Sequence, residues 1–252
     1  MLGRGIVSSG LHRVFLRGSA VIVAFHRVND ALNDSLTTSS RSFEAFCRFF
    51  QANFDVICLD DLVQRLTAGE SIQNAVAITF DDGYIDNFEV AAPILRKLAL
   101  PATFFVATSF LGSTTIPWWD RELSERPSWM TWDHVRTLSK EGFDIGAHTR
   151  THVDLGAVDG AEAVAEIVGS REDLREQLGK APEHFAFPYG QPSNLSESNR
   201  QRVRDAGFKS CVSCFGALTE PRTDPFHLPR VAIAPWLRSP EQFVFDIVAR
   251  AG

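Results

Sequence analysis

The chain runs to 252 residues, 44% hydrophobic and 22% charged, a balance that supports one sizeable buried core and excludes a collagenous, coiled-coil or low-complexity protein. Its 25 basic and 31 acidic side chains leave a net charge of −6 with no block of consecutive Lys or Arg, which argues against a nucleic-acid partner, since duplex binding needs clustered cations on phosphates. No stretch approaches the ~18 to 20 uninterrupted apolar residues of a membrane-spanning helix.

Residues 1–18 carry Arg4, His12, Arg13 and Arg17, which break the apolar run, and no small-residue cleavage site follows. The segment reads as a flexible leader of a cytoplasmic protein, basic and amphipathic enough to rest on a membrane surface. A strand-type run follows at 21–25, then a polar segment at 29–41 that is long for a simple connection. Ser42 is the N-cap candidate for a helix over 42–53, and a strand near 56–58 and a helix over 60–68, stopped by Gly69, lead into a strand at 76–80. A helix over 87–99 and a strand at 103–107 precede a second long segment, 108–130, which holds Trp118, Trp119 and Trp129. Thr131 caps a helix over 132–141 that Gly142 ends; a strand at 143–147, a helix over 160–178 ended by Gly179 and a strand at 185–187 follow. The chain closes with a helix over 194–206 ended by Gly207, strands at 208–213 and 230–234, and a helix over 240–250. Cys47, Cys58, Cys211 and Cys214 are too few and too scattered for a disulfide framework, and the C-x-x-C of the last two, inside an apolar strand, reads as buried packing. Strand followed repeatedly by helix means an α/β protein with a parallel sheet, and seven or eight such units in one domain spanning 1–252 make a closed or nearly closed barrel.

Such a barrel puts its reactive groups on the loops leaving the C-terminal ends of the strands. His26 follows the strand at 21–25, Asp81 and Asp82 follow 76–80, His148 and His152 follow 143–147, and Pro188 and Tyr189 follow 185–187. Neighbouring carboxylates at a strand end point in different directions, so one can hold a metal while the other handles a proton. The four-residue spacing of His148 and His152 lets two imidazoles face one point where the chain turns helically, and two His with one carboxylate leave a metal position open for water. A cation there lowers the pKa of water from 15.7 to about 7, and the second carboxylate can take the remaining proton.

Three of these segments, Ile78-Thr-Phe-Asp-Asp-Gly-Tyr84, His148-Thr-Arg-Thr-His152 and Phe187-Pro-Tyr-Gly190, resemble in this order the first three motifs of the polysaccharide deacetylases, the NodB-like carbohydrate esterases. The likeness runs from about Val21 to Ile233. It implies a distorted parallel (β/α) barrel of about seven strands that removes acetyl groups from N-acetylated sugars with a divalent metal, Zn2+ first, with Co2+, Mn2+ or Ni2+ as alternatives. By matching positions, Asp81 is the general base; Asp82, His148 and His152 are the metal ligands; and the backbone N–H of Tyr189 stabilises the oxyanion.

Two departures from the family pattern matter. Where many members carry an Arg that pairs with the base, this chain has Phe185-Ala-Phe-Pro188, so another cation must orient Asp81; Arg230, in Leu228-Pro-Arg-Val231 on the last expected strand, is the candidate. No Leu-x-His motif follows near the C-terminus, but Ala24-Phe25-His26-Arg27-Val28 resembles the early-strand His of the permuted poly-N-acetylglucosamine deacetylases, which makes His26 the expected general acid. Pro188, Tyr189, Trp118 and Trp119 are candidates for substrate contact, the indoles as flat platforms for sugar rings. Trp132 reads as an anchor, Thr149 and Thr151 as supports of the metal loop, and His134 and His184 as having no chemical part. The expected activity is N-deacetylation of a polysaccharide, an oligosaccharide or a lipid-linked saccharide in surface-polysaccharide biosynthesis. The alternatives are a deformylase or other deacylase of a lipid-linked amino sugar, and a silent glycan-binding barrel.

Overall fold

Val21–Phe25 (β1) and Ala75–Phe80 (β5) are apolar at nearly every position and buried at every one, the signature of parallel strands covered on both faces. The computed structural model describes residue 16 and residues 18–216, 218–237 and 239–251. Nearly all of the expected leader therefore lies outside the described residues. The other strands are Arg27–Val28 (β2), Thr37–Thr38 (β3), Asp55–Val56 (β4), Thr103–Val106 (β6), Asp144–Ala147 (β7), His184–Ala186 (β8), Ser210–Val212 (β9) and Val231–Ala232 (β10). Every pairing between them is parallel, and seven strands follow the order β10-β1-β5-β6-β7-β8-β9, with β4 against the start of β5. Leu228 bridges Val212 at the end of β9 while Val231 pairs with Val23 of β1, so residues 228–232 touch both ends of the path and bend it into a barrel.

The helices packed around this sheet are Ser40–Asn53 (α1), Leu59–Ala68 (α2), Ala92–Leu98 (α3), Trp132–Lys140 (α4), Gly160–Leu178 (α5), Glu197–Asp205 (α6) and Pro240–Ala251 (α7). Among the described residues none is long and apolar enough to cross a membrane. Phe80 stacks between Phe25 and Phe104, with ring centroids 5.5 and 4.8 Å away, and Phe43 of α1 closes on the same group edge-on. These rings tie the ends of β1 and β5, which carry His26, Asp81 and Asp82, to the start of β6.

Three expectations change. The cap of α1 is Ser39 rather than Ser42: the Ser39 hydroxyl accepts the Ser42 N–H, because the chain leaves β3 at Thr38 and must turn at once. The polar segment at 29–41 is partly ordered by β3, which pairs with β2. The helix expected over 87–99 opens with a π-type turn, Asn87–Ala91, and this wider turn brings the buried Asn87 amide to the His26 carbonyl at 2.7 Å. Cys211 is buried and its thiol donates to the Phe226 carbonyl; burial pushes it up to about 12 and Cys214 up to about 11, so neither is a ready thiolate.

The cap of α5 bears on the site, since that helix carries a residue used below. The Asp159 carboxylate accepts the Ala161 and Glu162 N–H groups, both at 2.9 Å. Asp159→Ala is expected to cost about 1 kcal/mol, a fall of about 2 to 4 °C in Tm for a chain of this size, read by thermal denaturation.

Candidate active site

The Asp81 N–H, just past the end of β5, donates to the Phe25 carbonyl at 2.9 Å, and the Asp81 carboxylate lies against the Arg230 guanidinium. Both carboxylate oxygens are engaged, Oδ1 by Nη1 at 2.7 Å and Oδ2 by Nη2 at 2.6 Å. Arg230 immediately precedes β10 rather than lying on it. Val231 is level with Val23 and, through it, with Ile78, so the guanidinium must rise past Thr79 to meet Asp81, and only a side chain of this length does so. On the way Arg230 donates to the Thr79 hydroxyl at 3.0 Å and, through Nε, to the Ser213 carbonyl at 2.7 Å. Burial works to raise the Asp81 pKa, but the Arg230 charge overrides it and holds the carboxyl below its ordinary value. His26, following β1, brings Nε2 to 4.0 Å from Asp81 Oδ2, and burial holds this imidazole below its usual range.

Asp82 turns the other way because its backbone is left-handed, with φ +74°, a conformation that Asp tolerates better than most residues. Its Oδ1 lies 3.3 Å from His148 Nε2 and 3.1 Å from His152 Nε2. The Ala186 carbonyl, 2.8 Å from His148 Nδ1, accepts a hydrogen bond from the Nδ1–H, which leaves the Nε2 lone pair facing the site. Asp82 Oδ1 is buried without a hydrogen-bond partner, and one atom from each of the three side chains lies within 4.8 Å of the others. Two imidazole nitrogens and a carboxylate oxygen converging on one point form a donor set for a first-row divalent cation such as zinc. The electrostatics agree: burial opposes charge on Asp82 and His148 alike, yet the histidines hold Asp82 well below its usual value, and Asp81 and Asp82 hold His148 above its own.

The His148–His152 pair does not sit on a helical turn. Thr149 and His152 have φ of +61° and +58°, so the loop bends back through two left-handed residues, each costing on the order of 1 to 3 kcal/mol. Glu166 of α5 holds that bend: its carboxylate accepts the Arg150 N–H at 2.8 Å, the Thr151 N–H at 2.9 Å and the Thr151 hydroxyl at 2.9 Å. Glu166→Ala is expected to weaken the binding of a divalent cation at these donors by about 10-fold or more, as loss of an outer support does at metal sites, measured by competition against a chelating dye.

These groups open into a cleft of about 960 Å³. Tyr189 lines it, again left-handed at φ +61°, and among the described residues its N–H has no acceptor. Trp118 is 64% exposed, with its indole N–H 3.3 Å from the Tyr189 hydroxyl. Trp119 is an anchor as well as a wall: its N–H donates to the Tyr84 hydroxyl at 2.9 Å and its ring lies 4.7 Å from His152. Tyr84 in turn donates to Asp120, which pairs with the buried Arg27 at 2.6 Å, tying the tryptophan turn to β2. Pro188 is buried and does not line the cleft; its carbonyl accepts the Gly190 N–H and so shapes the turn that presents Tyr189, in place of the expected substrate contact. His134 caps α4 by accepting the Thr131 N–H. Phe215 and Trp236, 55% and 59% exposed, also line the cleft and were missed in the sequence, although both follow strand ends, those of β9 and β10.

The sequence pattern of the polysaccharide deacetylases matches residues 68–211, more than half of the chain. The chain belongs to the polysaccharide deacetylase family. Among its relatives in that family is the poly-beta-1,6-N-acetyl-D-glucosamine N-deacetylase of Staphylococcus aureus, 22% identical over 239 residues, covering 87% of this chain and 80% of the relative. Two solved structures share the fold. The deacetylase PplD of Streptococcus pyogenes, in complex with acetate, superposes with a TM-score of 0.77 at 20% identity over 91% of this chain and 98% of its own. IcaB from Ammonifex degensii gives 0.75 at 21% identity, over 93% and 97%.

Proposed function

We propose that this member of the family hydrolyses the N-acetyl amide of an amino sugar in a glycan or lipid-linked saccharide, with a divalent cation, zinc foremost, held by Asp82, His148 and His152. One observation carries the reading: an ionised carboxylate clamped by Arg230 stands beside an N,N,O donor set in a single cleft. When bound, the cation supplies Lewis-acid polarisation of the amide carbonyl and acidifies water. Asp81 takes the proton that water loses as the C–O bond forms. The Tyr189 N–H offers a backbone donor to the carbonyl oxygen, where negative charge develops. The C–N bond then breaks, and the nitrogen needs a proton to leave as an amine. His26, 4.0 Å from Asp81, is the group that delivers it, an imidazole standing next to the carboxyl that has taken the water proton. Arg230 keeps Asp81 oriented and ionised between turnovers, and Trp118 with Tyr189 presents flat faces to sugar rings at the mouth. Because the site draws residues from His26 to Arg230, we read the chain as one catalytic domain. The name of the Staphylococcus aureus relative makes β-1,6-linked N-acetylglucosamine the first substrate to try.

The test is acetate release from such oligomers by metal-stripped protein, with and without added zinc. Zinc-dependent release is the expected result. Zinc bound at the site without release would move the reading to another acyl group, and failure to bind any divalent metal would overturn it.

A further inference from the structure

A second gathering of metal-ligand side chains lies at the opposite end of the barrel, where the strands begin. His184 opens β8 and is 3% exposed. Its Nδ1 is paired with the Ser210 hydroxyl of β9 at 2.9 Å, while its Nε2 has no hydrogen-bond partner. That nitrogen faces Asp60 Oδ1, from the first turn of α2, at 3.7 Å, and this oxygen too is buried without a hydrogen bond. The separation is too long for a hydrogen bond, which needs about 2.7 to 3.2 Å. It matches two ligands of one ion at about 2.1 Å each, held at a wide tetrahedral angle. In the tautomer in which Nδ1–H donates to the Ser210 hydroxyl, Nε2 presents a lone pair to a carboxylate oxygen, and a cation between these two acceptors satisfies both. Glu183 supplies a third donor, and one ligand atom from each of Asp60, Glu183 and His184 lies within 4.8 Å of the others.

Three carboxylates, Asp60, Asp144 and Glu183, act on one another here, against the cations Lys180 and Lys209. Asp144, opening β7, feels the charges of both Asp60 and Glu183. Lys209 partly answers them, with Nζ 2.8 Å from Glu183 Oε1 and 3.6 Å from Asp60 Oδ1, but its side chain is 49% exposed and approaches from outside, whereas the orphan nitrogen lies inside. An ammonium cannot satisfy both acceptors from there.

We propose that Asp60, Glu183 and His184 form a second divalent-cation site, structural in purpose, which clasps the start of α2 to the start of β8. One imidazole with two carboxylates suits zinc and its first-row neighbours. The N-terminal end of a parallel barrel is where stability, not chemistry, is built. The site stands independently of the function proposed above, since it shares no residue with it.

The probe is Zn2+ alone, measured by equilibrium dialysis and thermal denaturation on the full chain carrying Asp82→Asn, which disables the other donor set. This protein is expected to retain one zinc and to melt at higher temperature when zinc is added. Adding Asp60→Asn, at a partly exposed position that leaves the core intact, is expected to weaken that binding at least tenfold and to abolish the Tm rise; His184→Gln checks the inner ligand. Lys209→Met is expected to tighten zinc, because the ammonium competes for the same carboxylates. If the Asp82→Asn protein takes up no zinc at millimolar concentration, or if its zinc survives both Asp60→Asn and His184→Gln, a water bridges the gap and the proposal fails. Retention of this zinc by the Asp82→Asn protein, with no zinc-dependent acetate release from the parent, would uphold the clasp while counting against the catalytic reading alone.

Discussion

Asp81→Asn is expected to lower kcat by about 100- to 10,000-fold, the range that positioned acid–base groups contribute, while the affinity for zinc stays within a few-fold of the parent. The substitution preserves shape and removes the group that accepts the water proton. It leaves the three metal donors in place, because the carboxylate oxygen that lies within 4 Å of His148 and His152 belongs to Asp82. It also strands the Arg230 charge, since an Asn amide would turn an N–H toward Nη2, where Asp81 now presents an oxygen at 2.6 Å. Some stability is therefore lost too, and the assay must run well below the variant's own Tm. Turnover, zinc stoichiometry and thermal melting on the same preparation separate the two effects. Retention of more than a tenth of parental turnover in a folded, zinc-loaded variant would remove Asp81 from the role of base.

Much of this could be read in the chain because parallel barrels make one strong link between sequence and site. A buried apolar strand announces itself, and the polar residues just past it must lie at the active face. That rule found Asp81, Asp82, His148, His152 and His26 without any knowledge of which strands pair. Arg230 is pointed to by a departure from the family pattern, the missing Arg that pairs with the base in many members, and its place just ahead of β10 shows why position alone does not reveal it: the side chain climbs past Thr79 to reach the site. The limits were equally physical. A four-residue His spacing cannot reveal whether the turn is helical or bent through left-handed residues, since both bring the rings together. The cap of α1 moved to Ser39 because β3 ends at Thr38, and a strand of two residues leaves almost no pattern. His184 looked inert because its partners, Asp60 and Ser210, are far away in sequence and meet it only through the register of β8 and β9 and the docking of α2.

Arg230→Ala is expected to destabilise the fold by about 3 to 5 kcal/mol, the cost of breaking a buried ion pair from one side, which corresponds to a fall of about 10 °C or more in Tm. Asp81 is 2% exposed, and water cannot readily replace the guanidinium against it. Burial, now unopposed by Arg230, pushes the Asp81 pKa upward, so the acid side of the kcat/KM profile should move to higher pH; the loss of the same charge also relieves His26, so the alkaline side moves in the same direction. Arg230→Lys sharpens the point. A lysine keeps the charge and should recover part of the stability, but it is a point donor on a different stem and cannot engage both carboxylate oxygens while also serving Thr79 and the Ser213 carbonyl. Its kcat should therefore stay well below the parent even where Asp81 is fully ionised, whereas a purely electrostatic role would predict full recovery. Urea denaturation with pH profiles of both variants decides between these, and an Arg230→Ala protein with parental turnover across the profile would show that Asp81 needs no positioning partner at all.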